Sequence, residues 1–308
     1  MRIVYLGTPD FAVGPLQALA AAGYDIAAVV TQPDKPRNRG KMQPTPVKAA
    51  AEALGLTVLT PEKVNREVEA IAAFRPDLLV VVAYGQFLSE KLLAVPALGA
   101  VNIHGSLLPA YRGAAPINAA VINGEVESGV TIMYLDKGMD SGDMILQQSV
   151  PIGEDMTAGQ LYDELCRLGT DLLLQALPLI EAGTAPRIPQ DHDKATFAPM
   201  LKKEDEIIDW SRPAKQVHDL IRGMDPFPGA YTLRQGKRLK IWGSKLATLP
   251  LQGDEPGAVT AVGKEGFWVA CADQALLVTE VQPEGKSRMD AGAYARGYQV
   301  EKSIILGR

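Results

Sequence analysis

Residues 77–85 read DLLVVVAYG, an apolar run rich in Val and Leu that a charged residue precedes and a glycine ends. Three comparable runs accompany it in the chain: RIVYLG at 2–7, DIAAVVTQ at 25–32 and AVNIH at 100–104. Helical patterns lie between or beside these runs, around residues 11–22, 46–54, 62–73 and 86–93. Short apolar strands that alternate with helices indicate a parallel sheet covered on both faces. We therefore expect a doubly wound, mostly parallel α/β domain with a Rossmann-like sheet.

The rest of the chain adds a second kind of architecture. Strand patterns at GVTIMYLD (129–136) and MILQQSVPI (144–152) precede a long helical pattern over roughly 157–182. Residues 183–205 are polar and irregular, which is typical of a linker. A hairpin with Gln235-Gly236 at its turn then follows, together with short strands in GAVTAVG, GFWVACAD and ALLVTEVQP. We predict a catalytic α/β domain over 1–182, a linker over 183–205 and a small OB-like β-barrel over 206–308.

The composition of the chain is typical of a globular protein. The chain has 308 residues with 47% hydrophobic and 22% charged residues, as in globular proteins large enough for two domains. Met1-Arg2 runs directly into a strand pattern and no apolar run reaches membrane-spanning length, so we expect neither a signal peptide nor a membrane span. Two distant cysteines suggest neither a disulfide framework nor a metal cluster and fit a reducing cytoplasm. A net charge of −5 argues against nucleic-acid binding by the whole surface.

The strongest chemical signal lies at the end of the AVNIH run. Asn102 and His104 sit where the crevice of an open α/β sheet is expected, and Asp140 lies in the turn GMDSGD. An amide can donate to an oxyanion, an imidazole can exchange a proton near neutral pH, and a carboxylate can orient the imidazole. The three together would support acyl transfer without a covalent nucleophile. The alternative is that His104 only ends a strand and Asp140 only shapes its turn.

The segments NIHGSLLPAYRGAAPI and GVTIMYLDKGMDSGDMI closely resemble the signature of the folate-dependent formyltransferase family, in order and spacing. LGTPDFAV, TQPDKPRNRGK, VVAYGQFL and IDW are similar to the branch of that family that acts on aminoacylated tRNA. The resemblance implies transfer of a formyl group from 10-formyltetrahydrofolate to the α-amine of methionine on initiator tRNA. It assigns catalysis to Asn102, His104 and Asp140, requires no metal, and suggests a monomer.

The resemblance also implies where the folate binds. It assigns folate contacts to the turn after the strand and to the neighbouring YGQFL turn: Ser106, Leu107, Leu108, Pro109, Phe87 and Leu88. Leucine side chains offer an apolar wall for the pterin ring. For Phe87, a core position at a helix start is an equal alternative. GTPDF at 7–11 lacks the G-x-G-x-x-G spacing, so a dinucleotide site is rejected, and Phe11 is a candidate contact for the methionine side chain.

The basic loop PDKPRNRGKMQPTPVK, residues 33–48, is the candidate tRNA contact. It contains Lys35, Arg37, Arg39 and Lys41 in a Pro/Gly-rich segment, which is suited to binding phosphates but is also typical of an ordinary surface loop. The family resemblance favours contact with the acceptor end, although Asn38 and Met42 depart from the family pattern. The family's barrel also binds tRNA, and here it carries Arg234, Lys237, Arg238 and Lys240. His192 and His218 receive no chemical role.

Three other functions remain to be separated from this one. The same catalytic residues serve formyltransferases that act on glycinamide ribonucleotide or on amino sugar nucleotides. A catalytically silent RNA-binding module would use only the basic loop and the barrel. A hydrolase would release formate from the same folate, because water could replace the amine.

Overall fold

The computed structural model describes residues 1–37, 41–251 and 253–307. The chain divides into two compact units that alternate along the sequence. The first unit comprises Met1–Ala114, Ser128–Val150 and Tyr162–Ala198. The second comprises Ala115–Glu127, Pro151–Leu161 and Pro199–Arg308.

The first half of the chain folds as alternating strands and helices. Its elements, in chain order, are β1 (Arg2–Gly7), α1 (Val13–Ala21), β2 (Asp25–Val30), β3 (Lys35–Arg37), β4 (Lys41–Gln43), α2 (Pro46–Ala53), β5 (Val58–Leu59), α3 (Val68–Ala72), β6 (Leu78–Val82), α4 (Glu90–Leu93), β7 (Ala100–His104), α5 (Pro116–Ile122), β8 (Glu127–Tyr134), β9 (Met144–Pro151) and α6 (Ala158–Glu181). Helix α5 is an element that the sequence patterns did not predict. The long helix expected at 157–182 is confirmed as α6.

The first unit is built on a seven-stranded sheet with the order β5-β2-β1-β6-β7-β8-β9. Strands β5, β2, β1, β6 and β7 pair in parallel, whereas β8 runs antiparallel to β7. All five residues of β6 are buried, which explains why its sequence is continuously apolar. The expected mostly parallel, doubly wound sheet is confirmed.

Two of the expected helices are shorter than their patterns. The pattern at 62–73 forms a 3-10 turn at Val64–Arg66 followed by α3, and the pattern at 86–93 yields only α4. Polar side chains account for both differences. Asn65 accepts from the Ser89 backbone and donates to the Phe87 carbonyl, while Gln86 accepts from the Val64 backbone. These bonds hold both segments as turns, because side-chain partners replace the helical backbone bonds.

The rest of the chain forms the second unit's sheet and its helices. Its elements are α7 (Ala214–Gly223), β10 (Tyr231–Arg234), β11 (Lys237–Leu249), β12 (Val259–Val262), β13 (Phe267–Ala270), β14 (Ala275–Pro283), β15 (Met289–Asp290) and α8 (Ala291–Gly297). The antiparallel order is β10-β11-β14-β13-β12, with β15 beside β14. This half-barrel confirms the expected small barrel, and the predicted hairpin turn is present, with positive φ at both Gln235 and Gly236.

Helix α7 holds the two earlier segments of the second unit. Asn118 on α5 donates to the Gly223 carbonyl at 2.8 Å. Arg222 donates to the Met156 carbonyl at 2.8 Å, and Nε2 of His218 donates to the Glu154 carbonyl at 3.1 Å. The second unit therefore includes residues that precede α7 by tens of positions in the chain and are hydrogen-bonded to it.

Candidate active site

Strand β7 ends at His104, and its last residues bring the two predicted polar side chains to one end of the sheet. Asn102 and His104 are two residues apart in the strand, so their side chains leave the same face. His104 is 5% exposed and Asn102 is half-buried. The strand end therefore presents an amide and an imidazole side by side.

The imidazole of His104 has a defined orientation. Its Nε2 lies 2.9 Å from the carbonyl oxygen of Tyr111. Because a carbonyl can only accept, Nε2 carries a proton and donates it to Tyr111. Nδ1 lies 3.7 Å from Oδ2 of Asp140. A second proton on His104 would therefore sit at Nδ1, directly opposite a carboxylate.

Asp140 is fixed in a strained turn after β8. Its φ is +48°, in the left-handed region that side-chain-bearing residues seldom adopt. Its Oδ2 accepts a hydrogen bond from the Gly113 amide at 2.8 Å. The structure thus brings together His104 and Asp140, which lie 36 positions apart in the sequence. The alternative in which Asp140 only shapes its own turn does not account for this contact.

Four residues around this pair were not singled out from the sequence. Tyr111 and Gly113 contact the pair through their backbones, and the buried side chains of Arg112 and Gln190 contact each other at 2.7 Å. The segment RGAAP, which carries part of the family resemblance, contains Arg112 and Gly113. Gln190 lies in a segment that the sequence indicates as an irregular linker, and no motif there points to a role for it.

Hydrogen bonds to Ala110, Thr131 and Gln147 hold the turn Ser106–Pro109 in place. The Ser106 hydroxyl donates to the Ala110 carbonyl at 2.6 Å, and the Ser106 carbonyl accepts from Thr131 at 2.7 Å. Gln147 donates to the Leu108 carbonyl at 3.0 Å. Ser106 and Leu108 are buried, whereas Leu107 and Pro109 are half-exposed. Leu107 and Pro109 are thus the two members of this turn whose side chains offer apolar surface.

The neighbouring YGQFL turn follows β6. Phe87 is 59% exposed, which excludes the core position considered for it, whereas Leu88 is buried. Tyr84 is buried as well, and burial raises the pKa of its phenol to about 12. Phe87 is therefore an exposed aromatic ring on a turn whose backbone is pinned by Asn65.

The basic loop is a short hairpin at the described positions. Lys35 pairs with Gln43 and Arg37 with Lys41 across β3 and β4, and Arg39 lies outside the described residues. Lys35 is exposed. Two short strands therefore lie within the segment that the sequence indicated as a basic loop.

The base of this hairpin is anchored to the sheet. Lys48 forms an ion pair with Asp34 at 2.7 Å, and this hydrogen bond raises the pKa of the Lys48 ammonium. The hydroxyls of Thr31, after β2, and Thr45, before α2, lie 2.7 Å apart. The Lys48 ammonium is thus paired with Asp34 at the base of the hairpin, whereas Lys35 is exposed on the hairpin itself.

Some basic residues of the second unit pack on aromatic rings. The Arg288 guanidinium lies 3.6 Å from the Trp242 ring centre, and the Lys240 ammonium lies 5.2 Å from it. Arg238 covers the ring of Tyr231 at 4.7 Å. These cation-π contacts orient positive charge along β11 and the turn that follows β14.

Two features are absent from the part of the chain that the structure describes. No group of three His, Cys, Asp or Glu side chains in this part of the chain is placed to hold a metal ion. None of the helices in the described ranges is both long and apolar enough to span a bilayer.

The described geometry can stabilise a developing negative charge. Asn102 offers an amide donor, and a protonated His104 beside Asp140 offers a cationic one. These are the requirements of acyl transfer by direct attack.

Comparison with known families matches both parts of the chain. The family model described as formyl transferase matches residues 1–177, and the model described as formyl transferase, C-terminal domain, matches residues 200–299. Methionyl-tRNA formyltransferase from Moorella thermoacetica is 53% identical over 100% of this chain and 99% of its own length. The enzyme of the same name from Symbiobacterium thermophilum is 51% identical over 98% of this chain and 94% of its own length.

Solved structures with the same fold are more distant in sequence. The N-formyltransferase from Helicobacter canadensis, in complex with folinic acid and dTDP-3-aminofucose, superposes with a TM-score of 0.71 at 18% identity, covering 92% of this chain and 99% of that one. HypX from Aquifex aeolicus, in complex with tetrahydrofolic acid, gives a TM-score of 0.67 at 18% identity, covering 98% of this chain and 48% of that one. These likenesses establish the fold.

Proposed function

The chain belongs to the methionyl-tRNA formyltransferase family, and we propose from this premise that it transfers the formyl group of 10-formyltetrahydrofolate to the α-amine of methionine on initiator tRNA. The product is N-formylmethionyl-tRNA for translation initiation. The observation that carries the proposal is the placement of His104 between the Tyr111 carbonyl and the Asp140 carboxylate. A proton on Nδ1 of this imidazole would face the Asp140 carboxylate, while the hydrogen bond from Nε2 to Tyr111 fixes the orientation of the ring.

The proposed chemistry is a direct attack without a covalent enzyme intermediate. The neutral α-amine forms a bond to the formyl carbon, the bond from that carbon to the folate nitrogen breaks, and one amine proton ends on that nitrogen. Asn102 and protonated His104 donate hydrogen bonds to the formyl oxygen as its negative charge develops. Asp140 orients His104 and assists the transfer of the amine proton.

Half-exposed side chains at two strand ends support folate binding. Leu107 and Pro109 offer apolar surface after β7, and Phe87 offers an exposed ring after β6. We assign the pterin contacts to these three side chains, with Ser106, Leu108 and Leu88 shaping the turns beneath them. Folate is the formyl donor in this assignment.

Positive charge supports the binding of tRNA. In the proposal the hairpin of Lys35, Arg37, Arg39 and Lys41 contacts the acceptor end, and the half-barrel holds the tRNA body through its basic residues. The chemistry is assigned to the first unit, which includes residues 183–198 of the expected linker, and binding of the tRNA body to the second unit. The enzyme is proposed to act as a monomer in the cytoplasm.

One assay tests the proposal directly. Purified protein, methionyl-tRNA and 10-formyltetrahydrofolate should yield N-formylmethionyl-tRNA, and His104→Ala should slow its formation roughly 100- to 1,000-fold while tRNA binding is retained. Formate release in place of the formylated product would support a hydrolase. Formylation of an amino sugar nucleotide or of glycinamide ribonucleotide in place of the aminoacyl-tRNA would assign a different branch. Binding of tRNA without turnover by the intact protein would support an RNA-binding module.

A further inference from the structure

Gln190 lies in the segment that reads as a linker, yet its buried side chain reaches the turn that carries Asp140. Its Nε2 donates to the carbonyl of Asp140 at 2.9 Å and to the carbonyl of Gly142 at 2.8 Å. Both protons of the amide are therefore used on one turn. That turn includes the positive φ at Asp140, a conformation that needs support from its surroundings.

The other end of the same amide contacts Arg112. Oε1 of Gln190 accepts from Nε of Arg112 at 3.1 Å and from Nη2 at 2.7 Å. A guanidinium can only donate and a carbonyl can only accept, so the orientation of the Gln190 amide is unambiguous. Arg112 thus forces the NH2 group of Gln190 towards the Asp140 turn.

Arg112 is itself the link to the second catalytic side chain. It lies between Tyr111, whose carbonyl accepts from His104, and Gly113, whose amide donates to Asp140. Gln190 therefore contacts the turn that carries Asp140 and also Arg112, whose two neighbours in the chain contact His104 and Asp140.

The charge of Arg112 has no anionic partner in the part of the chain that the structure describes. The residue is 5% exposed, and within the described residues its side chain hydrogen-bonds only to Gln190 and, at 3.2 Å, to Nδ1 of His192. Burying a guanidinium without a carboxylate is costly. Its hydrogen bonds to Gln190 and His192 offset part of that cost and tie the guanidinium to the residue that contacts the Asp140 turn.

The backbone after Gln190 supports the same residues. The amide of Arg112 donates to the Thr196 carbonyl at 2.9 Å, and the amide of Ala198 donates to the Arg112 carbonyl at 2.7 Å. The Tyr111 amide donates to the Thr196 hydroxyl at 2.9 Å. Residues 190–198 therefore hold both the side chain and the backbone of Arg112.

From these contacts we infer that Gln190 is a positioning residue, which sets the Asp140 carboxylate opposite Nδ1 of His104 with Arg112 fixing its orientation. Its effect on the reaction rests on the proposed function, whereas its effect on the Asp140 turn does not. Misplacing a catalytic group by about 1 Å can cost about 100-fold in rate.

Two variants distinguish the contacts of the Gln190 NH2 group with the turn from the contacts of its carbonyl oxygen with Arg112. Gln190→Ala removes the contacts to both the turn and Arg112. Gln190→Glu keeps an acceptor for Arg112 and places carboxylate oxygens against the two carbonyls of the turn. We expect kcat for formylation to fall roughly 10- to 100-fold in both variants, with KM for folate and for tRNA changed less than about twofold.

Two further measurements distinguish positioning from a general structural role. In a double-mutant cycle, Gln190→Ala should add little to the loss of kcat already caused by Asp140→Asn, because both act through one carboxylate. Hydrogen exchange at the Gly113 amide should accelerate in Gln190→Ala, since its acceptor is displaced. The matched control is Thr232→Val, which removes the buried partner of Trp210 in the second unit and should lower the melting temperature while leaving kcat and Gly113 exchange unchanged.

The outcomes can be separated from those of the proposed function. An inactive wild-type protein would refute the proposed function, and Gly113 exchange would still test the positioning role. Additive losses in the cycle, near wild-type kcat in Gln190→Glu, or unchanged Gly113 exchange would overturn the inference. Failure of both variants to fold would assign Gln190 to stability alone and would overturn it too.

Discussion

The Gly113 amide donates to Oδ2 of Asp140 at 2.8 Å, so a backbone group 27 positions away in the chain holds the carboxylate that faces His104. Gly113 has φ +116°, and a Cβ at this position would lie 2.7 Å from the Ala198 carbonyl oxygen. Both the conformation and the close approach require glycine. The His104–Asp140 contact thus depends on a residue without a side chain.

Gly113→Ala should lower the free energy of unfolding by at least about 1–3 kcal/mol, the usual cost of such backbone strain, and should reduce kcat because the amide moves away from Asp140. Gly23→Ala is the matched control, because Gly23 also has positive φ but a Cβ there meets nothing within 4 Å. Chemical denaturation and formylation kinetics of the two variants check this. A Gly113→Ala protein with wild-type kcat would show that the Gly113–Asp140 bond is dispensable.

Asn102→Ala and His104→Ala should each reduce kcat roughly 100- to 1,000-fold, the usual loss when one oxyanion donor is removed. The affinity for tRNA should be unchanged, since neither side chain belongs to the basic hairpin. Single-turnover formylation, combined with filter binding of methionyl-tRNA, separates the two effects. Retention of the wild-type rate in either variant would remove that residue from the catalytic assignment.

Phe87→Ala should raise KM for the folate by roughly 5- to 10-fold, because a lost aromatic contact is worth about 1–1.5 kcal/mol. The change in kcat should be smaller, since Phe87 has no role at the formyl carbon. Phe227→Ala is the matched control, because Phe227 is 79% exposed in the second unit and has no assigned folate contact. Equal KM values for Phe87→Ala and the wild type would argue against pterin contact by this ring.

Lys35→Met should weaken tRNA binding and reduce the slope of log affinity against log salt by about 0.7–0.9, as expected for one lost phosphate contact. Lys91→Met serves as the control, because Lys91 is an exposed lysine that pairs with Glu69 at 2.9 Å and lies outside the basic hairpin. Fluorescence titrations over a range of salt concentrations give both slopes. A slope unchanged from the wild type in Lys35→Met would place Lys35 away from the phosphates.

His218 should make the protein less stable in mild acid. Burial lowers the pKa of this imidazole below its usual 6.5, and Arg222 also lowers it, while the Glu154 carbonyl, Asp219 and Asp155 oppose the shift less strongly. As pH falls through about 6.5, the unfolded chain binds a proton that the folded chain does not, so the free energy of unfolding falls as well.

The slope from this single group should be at most about 1.4 kcal/mol per pH unit between its folded and unfolded pKa values. Thermal melting of His218→Asn should therefore depend less on pH below about 6.5 than melting of the wild type. His192→Asn is the control, because His192 is exposed. Parallel pH profiles for the wild type and His218→Asn would refute this origin of the acid sensitivity.

The sequence predicts the architecture well because the architecture depends on periodicity. Apolar runs such as the one in β6 predict buried parallel strands, and Gln235-Gly236 predicts a turn that needs positive φ. Helices α5 and α8, of seven residues each, escaped prediction.

The chemistry of the site was predictable only in part. Asn102, His104 and Asp140 follow from residue type, position and family resemblance, because each has a side chain suited to its task. Tyr111 and Gly113 contact the pair through backbone atoms. Every residue has such atoms, so the sequence does not single these two out. Gln190 acts through contacts with residues about 50 and 78 positions away, which local patterns do not reveal.

The interleaving of the two units has a consequence for how the chain emerges from the ribosome. The segment Pro151–Leu161 belongs to the second unit, but its partner α7 begins at Ala214, roughly 50 residues later. At about 5–20 residues per second, that delay is roughly 3–10 s. The delay between the synthesis of helix α5 and that of α7 is longer still, because α5 ends at Ile122. A nascent chain arrested near residue 205 would therefore hold all segments of its first unit and two segments of its second that still lack α7.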